Sequence, residues 1–347
     1  MNEFLFFGAF LLLIILMIAL DFGLLTKNSH VVSIREASIM TSIWVSLSIG
    51  FFFFVRFHGD MIHGIDTIER LQEIIKLHHH PINISGMDFE TAIQLYRSNL
   101  SLEYITGYLI EYALSVDNMF VILLIFMSFK VRQKYYKKVL LWGIAGAIVL
   151  RFMFIFFSSA LIHRFEWILY VFGAFLLFTG VKMFITKGKE STTEVAHHPV
   201  VRFTSRLFRV FPRFVKDRFF VVKNNKIFLT PLFVVVLVIE FSDIIFAVDS
   251  VPAIFSITKD PYIVFFSNIF AIMGLRSLFF LLSGFMDRFR FLKPGLAVLL
   301  AVIGLKLIFE DFLHEIGFQT YHSLILIGGI LLISVLMSIL IPEKEMD

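Results

Sequence analysis

The sequence predicts an all-α polytopic membrane protein. Three observations carry that prediction: hydrophobic residues make up 58% of the 347, mean hydropathy is +0.86, and apolar runs of membrane-spanning length recur nine times along the chain. A soluble domain is about 45–50% apolar, and crossing roughly 30 Å of hydrocarbon takes about 20 consecutive apolar residues.

The candidate spans cover residues 3–25, 37–57, 100–128, 138–162, 165–186, 228–256, 261–284, 294–313 and 321–341. The first has no basic leader segment, runs past the length of a signal peptide core and lacks an A-x-A site, so it reads as a span. Residues 1–57 then hold two N-terminal spans, and 58–99 form an extracytoplasmic loop. Within that loop Ile65, Ile68, Leu71 and Ile75 share one face of a short amphipathic helix, which either lies on the membrane or covers an outer vestibule. His78, His79 and His80 follow it and are expected in solvent, as are His197 and His198. Residues 100–186 and 228–313 hold three spans each, and 314–347 hold the last span and a tail. Between the two groups, 187–227 is basic and carries Phe203, Phe208, Phe211, Phe214 and Phe219, the composition of a linker on a membrane surface.

Lys and Arg concentrate in 26–36, 129–137, 187–227 and 288–293. The positive-inside rule puts those segments in the cytoplasm, the N-terminus outside and, after nine spans, the C-terminus inside. The formal net charge of +4 is therefore a topology signal, and nucleic acid is excluded as a partner. Cysteine is absent, which removes thiolate catalysis and soft-metal ligation.

The two groups of three spans repeat one another. ALSVDN (113–118) matches IFAVDS (245–250), AIVLRFMFIFFS (147–158) matches IMGLRSLFFLLS (272–283), and TGVKMF (179–184) matches IGLKLI (303–308). These equate Asp117 with Asp249, Glu111 with Asp243, Arg151 with Arg276, and Lys182 with Lys306. Repeats of three spans must enter the membrane in opposite senses, which is the 3+3 inverted-repeat plan of secondary transporters, with a site near the midplane.

Glu111, Asp117, Glu240, Asp243 and Asp249 all lie inside apolar spans. Each ionised carboxylate costs on the order of 2.5–3.5 kcal/mol at the centre of a spanning helix unless something cationic answers it. With Asn118 they make a hard-oxygen donor set that suits Mg, Ca or Mn. Arg151, Arg276, Lys182 and Lys306 are the available counter-ions, with Lys182 placed to snorkel to the cytoplasmic surface. Residues six apart lie about 240° apart on a helix, so for Glu111 and Asp117, or Asp243 and Asp249, to share a site the helices are expected to unwind. Pro252 is the expected cause in the second case. No P-loop occurs, so coupling would use an ion gradient, with protons the natural co-ion and the bilayer the only other partner. The reading is of a transporter with no resident cofactor, and not of an enzyme.

EYALSVDNMFV (111–121), TPLFVVVLVIEFSDIIFAVDSVPAIFSIT (230–258), DPYIVFFSNIFAIMGLRSLFFLL (260–282) and GLAVLLAVIGLKL (295–307) resemble the TerC family of integral membrane proteins, within the lysine-exporter-like superfamily. The length resembles its manganese-exporter-like branch. That resemblance implies export of Mn(II) from the cytoplasm across a bacterial inner membrane, with Glu111, Asp117, Glu240, Asp243 and Asp249 as the acidic metal positions. It also leaves room for an assembly or metallation factor that works with exported metalloenzymes or secretion machinery. Oxygen ligands alone do not separate manganese from calcium.

Overall fold

The computed structural model describes residues 3–25, 32–165, 167–185, 210–211, 213–215, 217–223, 226–283, 291–315, 317–318 and 320–341. Some side chains within its helices, including those of Asp117 and Asp249, lie outside the described ones, as do His197 and His198. The chain is helical almost throughout: α1 (Glu3–Leu25), α2 (Ile34–His58), α3 (Asp60–His63), α4 (Ile68–Leu77), α5 (Phe89–Ser128), α6 (Tyr136–Arg164), α7 (Ile168–Ile185), α8 (Pro231–Phe255), α9 (Pro261–Ser283), α10 (Leu292–Ile308), α11 (Glu310–Glu315) and α12 (Thr320–Leu340). Among the described residues six helices are long and apolar enough to cross a membrane: α2, α6, α7, α8, α9 and α12. Shorter apolar stretches, Leu5–Ala19 and Pro294–Ile308, lie in α1 and α10.

α5 starts earlier than the apolar run suggested. Asp88 caps it by accepting from the backbone N–H of Thr91 at 3.2 Å, and the helix continues for 40 residues. At 1.5 Å per residue that is about 60 Å, twice the hydrocarbon thickness. Its first turns support α3 and α4, with Arg97 bonded to Asp60 at 2.6 Å.

α9 is the central helix, buried along nearly its whole length and packed against α2, α5 and α6. The abundance of phenylalanine has its structural use here. Phe10 of α1 and Phe51 of α2 meet Phe266 and Phe270 of α9, with ring centroids 4.3 Å apart for Phe10–Phe266 and 5.0 Å for Phe51–Phe270.

The helices equated by the sequence repeat pack against their counterparts: α5 against α8, α6 against α9 and, most extensively, α7 against α10. The last pair approaches almost backbone to backbone. A Cβ on Gly180 would come within 2.6 Å of the Ala297 carbonyl oxygen, and one on Gly304 within 2.6 Å of that of Gly173. Small residues permit such contact between helices in lipid.

The two ends of the bundle differ in chemistry. Glu36 and Lys137 approach to 3.7 Å, and Lys138 reaches Asp217 at 3.1 Å, so the basic connections gather at one end. Glu3, His63, Arg70 and Asp260 gather at the other.

Several expectations are corrected. α8 does not break at Pro252. The ladder resumes with the Ser256 N–H bonding the Pro252 carbonyl at 3.1 Å, and because the helix ends at Phe255 the missing N–H costs a single bond in the last turn. α5 likewise runs through Ser115–Asn118 without unwinding. His78 and His80 are not in solvent but 5% exposed. α4 does cover the bundle, burying Leu71 and Ile74, and the last part of the 187–227 segment forms a hairpin of β1 (Phe220–Lys223) and β2 (Lys226–Leu229). The eighth candidate span, 294–313, is divided: α10 ends at Ile308, and residues 310–315 form the separate short helix α11.

Candidate cation site

Glu111 and Asp243 meet between helices that are continuous at both positions. Glu111 of α5 and Asp243 of α8 converge on Arg151 of α6, whose side chain is wholly buried. The Arg151 Nε and one terminal nitrogen donate to the two oxygens of Asp243 at 3.1 and 2.9 Å, a bidentate fork. The other terminal nitrogen donates to Glu111 Oε1. Planar guanidinium suits such two-sided recognition, where lysine could offer only a point charge.

Glu111 is satisfied from further directions. Asn268 of α9 donates from Nδ2 to its Oε2 at 3.0 Å, and Ser115 Oγ donates to Oε1 at 3.3 Å. Four helices thus hold one cluster. Asn268 was not anticipated; the signal for it was a Ser-Asn pair inside the apolar run of α9.

Glu240 lies three residues before Asp243 on α8, and both face α6. Its carboxylate rests on Gly146, where any Cβ would overlap it. The Glu240 Oε2 atom is buried and has no hydrogen-bond partner among the described residues. A buried polar atom without a partner is costly, so this oxygen is available to a guest.

Beside the cluster is a cavity of about 40 Å³, lined by Asn118, Asp243, Arg276 and the apolar side chains of Met119, Ile239 and Phe246, among others. A water needs roughly 10–15 Å³ measured this way, so the space admits a partly hydrated ion. Arg276 is 5% exposed and reaches the cavity wall. The structure places the other two proposed counter-ions elsewhere. Lys182 is exposed on α7, its ammonium 5.9 Å from the ring centroid of Phe178. Lys306 donates to the Ser256 carbonyl beyond the end of α8.

These features define a multi-pass integral membrane protein with a buried carboxylate–guanidinium cluster at a helix junction. The chain belongs to the TerC family: the model described as "Integral membrane protein TerC family" matches residues 96–346. It is 41% identical over 308 residues to the Alx protein of Salmonella typhi, covering 88% of this chain and 86% of that one. The Alx protein of Escherichia coli K12 is 40% identical over 308 residues, with the same coverage. Both are named, provisionally, as membrane-bound redox modulators. A membrane protein of Myxococcus xanthus, uncharacterised, is 38% identical over 333 residues, covering 96% of this chain and 91% of its own. No solved structure matches the chain.

Proposed function

We propose that the chain is a secondary-active exporter of divalent cations, Mn(II) first among them, working from the cytoplasm across a bacterial inner membrane in exchange for protons. The observation that carries this reading is the site itself: Glu111 and Asp243 joined on Arg151 beside a cavity of about 40 Å³, with Glu240, three residues before Asp243, holding a buried oxygen that has no partner among the described residues. A purely structural network would satisfy every oxygen, and Glu240 Oε2 has no partner. Arg151 holds two acids while the cation is away. An entering ion takes Glu240 and Asp243 as oxygen ligands, with Asn118 on the cavity wall. Asp117 and Asp249 complete the hard-oxygen set by their positions in the repeat.

Contact between repeat-equivalent helices supports the inverted-repeat plan, in which the site lies at the interface of the halves. The separation of basic and acidic ends supports an N-terminus outside and basic loops inside. In that frame nine spans are counted by adding α1, α5 and α10 to the six long apolar helices. The redox label of the relatives does not point to thiol chemistry here, because the 347 residues contain no cysteine. A redox effect of this chain would run through a redox-active cation. The test is Mn(II) flux into proteoliposomes under an imposed pH gradient, with Asp243→Asn as the site variant. Flux that survives this substitution in folded protein refutes the site.

A further inference from the structure

A second cluster lies at the α3–α4 end of the bundle, opposite the basic loops and built from different residues. His63 ends α3, His78 caps the C-terminus of α4, and Asp260 stands in the turn between α8 and α9. Their relative exposures are 1%, 5% and 0%. One ligating atom from each lies within 4.8 Å of the others.

We propose that His63, His78 and Asp260 form a binding site for a first-row divalent transition cation. Two imidazoles with one carboxylate favour Mn(II), Fe(II), Co(II) or Zn(II) over Mg(II) and Ca(II), which take oxygen alone. Bonds of about 2.1 Å place ligand atoms no more than about 4.2 Å apart, so closing on an ion needs movements of a few tenths of an ångström. His63 Nε2 faces Asp260 Oδ2 at 2.8 Å, and the ion takes the place of the proton they share.

The surroundings are those of a prepared site. His63 Nδ1, on the far side of the ring, faces Glu3 Oε1 at 3.6 Å, the carboxylate–imidazole arrangement that orients metal-bound histidines. The other oxygen of Asp260 is fixed by the Tyr262 N–H at 2.9 Å, leaving Oδ2 toward the cluster. The neighbouring His80 ring is 6.0 Å from His78 between centroids, and its side chain is fully buried. Glu103 holds its Nδ1 at 2.8 Å, while Nε2 is buried with no hydrogen-bond partner. A buried His80 Nε2 without a hydrogen-bond partner, beside His63, His78 and Asp260, is poor design for stability alone. The proposal does not rest on transport. The cation cluster of α5, α6 and α8 contains no histidine, so the two sites give different signatures.

The experiment uses full-length protein without a polyhistidine tag, in nanodiscs, titrated with Mn(II) and read by pulsed electron paramagnetic resonance for imidazole nitrogen coupled to the ion. The expected result is one imidazole-coupled Mn(II) per chain in the wild type. It is retained in Asp243→Asn, which alters only the other site, and in His79→Asn, which changes the exposed neighbour. In His63→Asn/His78→Asn the coupling is lost, and in His78→Asn alone affinity falls by roughly 100-fold, at or beyond the upper end of effects seen for groups that only orient ligands. Wild-type protein with no imidazole-coupled ion overturns the proposal whatever the variants do. So does coupling that persists in the folded double variant, an unchanged affinity in His78→Asn, or coupling that disappears in His79→Asn.

Discussion

Replacing Arg151 by Gln removes the one side chain that joins Glu111 to Asp243. Three charge-assisted hydrogen bonds go with it, from a guanidinium and a Glu111 carboxylate that are both 0% exposed and an Asp243 that is 14% exposed. Breaking a buried pair by deleting one partner costs about 3–5 kcal/mol, because the remaining charges stay buried without an answer. At about 2.1 cal/mol/K of unfolding entropy per residue, 347 residues give about 1.4 °C per kcal/mol, so the melting temperature should fall by ~4–7 °C. Removing all three charges together, as Glu111→Gln, Arg151→Met and Asp243→Asn, should restore most of that loss, since neutral isosteres of buried ion pairs are often as stable as the originals. Millimolar Mn(II) should raise the melting temperature of Arg151→Gln more than that of the wild type, because the buried carboxylates left without Arg151 then recruit a dication and binding to the folded state stabilises it. The assay is thermal unfolding in one fixed detergent, with and without metal. A fall of less than about 1 °C for Arg151→Gln, under 1 kcal/mol on the same scale, would show that Arg151 is not the counter-ion holding the acids together.

Three further outcomes follow from the same geometry. Glu240→Gln should leave the melting temperature unchanged or higher, since it removes a buried charge with a partnerless oxygen, while abolishing Mn(II) flux; a fall in stability with flux intact would reverse its assigned role. Gly146→Ala should cost about 1–3 kcal/mol by overpacking against the Glu240 carboxylate, and Glu240→Ala in the same chain should recover it in thermal unfolding. The α3–α4 cap should loosen as pH rises. Burial opposes a charged His63, but Asp260 and Glu3 outweigh it and raise the imidazole from 6.5 to about 9. The stabilisation is complete below pH 6.5 and is lost as pH passes through about 9. Burial likewise opposes a charged Asp260, yet His63 and its neighbours hold that carboxyl below its ordinary 3.8, so its contribution is present above that pH and is lost only in stronger acid. Protection factors of residues 60–80, which discount the intrinsic base-catalysed rise of amide exchange, should therefore fall between pH 6.5 and 9, and Asp260→Asn should remove that fall.

Much of the architecture was legible because the bilayer imposes simple rules. Apolar runs marked the helices, and carboxylates inside them marked Glu111 and Asp243, which the fold does bring together on Arg151, and Glu240, which it sets against Gly146. What the sequence hid was how those acids meet. Reasoning within one helix required Glu111 and Asp117 to share a face and so required unwinding, whereas the cluster forms between helices and leaves both intact. Contacts across long separations carried no local signal: Asn268 reaches Glu111 from 157 residues away, and Asp260 reaches His63 from 197. The histidines at 78–80 were read from adjacency alone, which says nothing of burial. One local signal was present and passed over: Asp88, an N-cap that places the start of α5.

The most direct test of the cation pathway is Mn(II) flux in proteoliposomes under an imposed pH gradient, comparing wild type with Asp243→Asn and Glu240→Gln at equal reconstituted amounts. The account predicts gradient-dependent flux in the wild type and none in either variant. Flux unaffected by both substitutions, or no divalent flux from folded wild type, would contradict it.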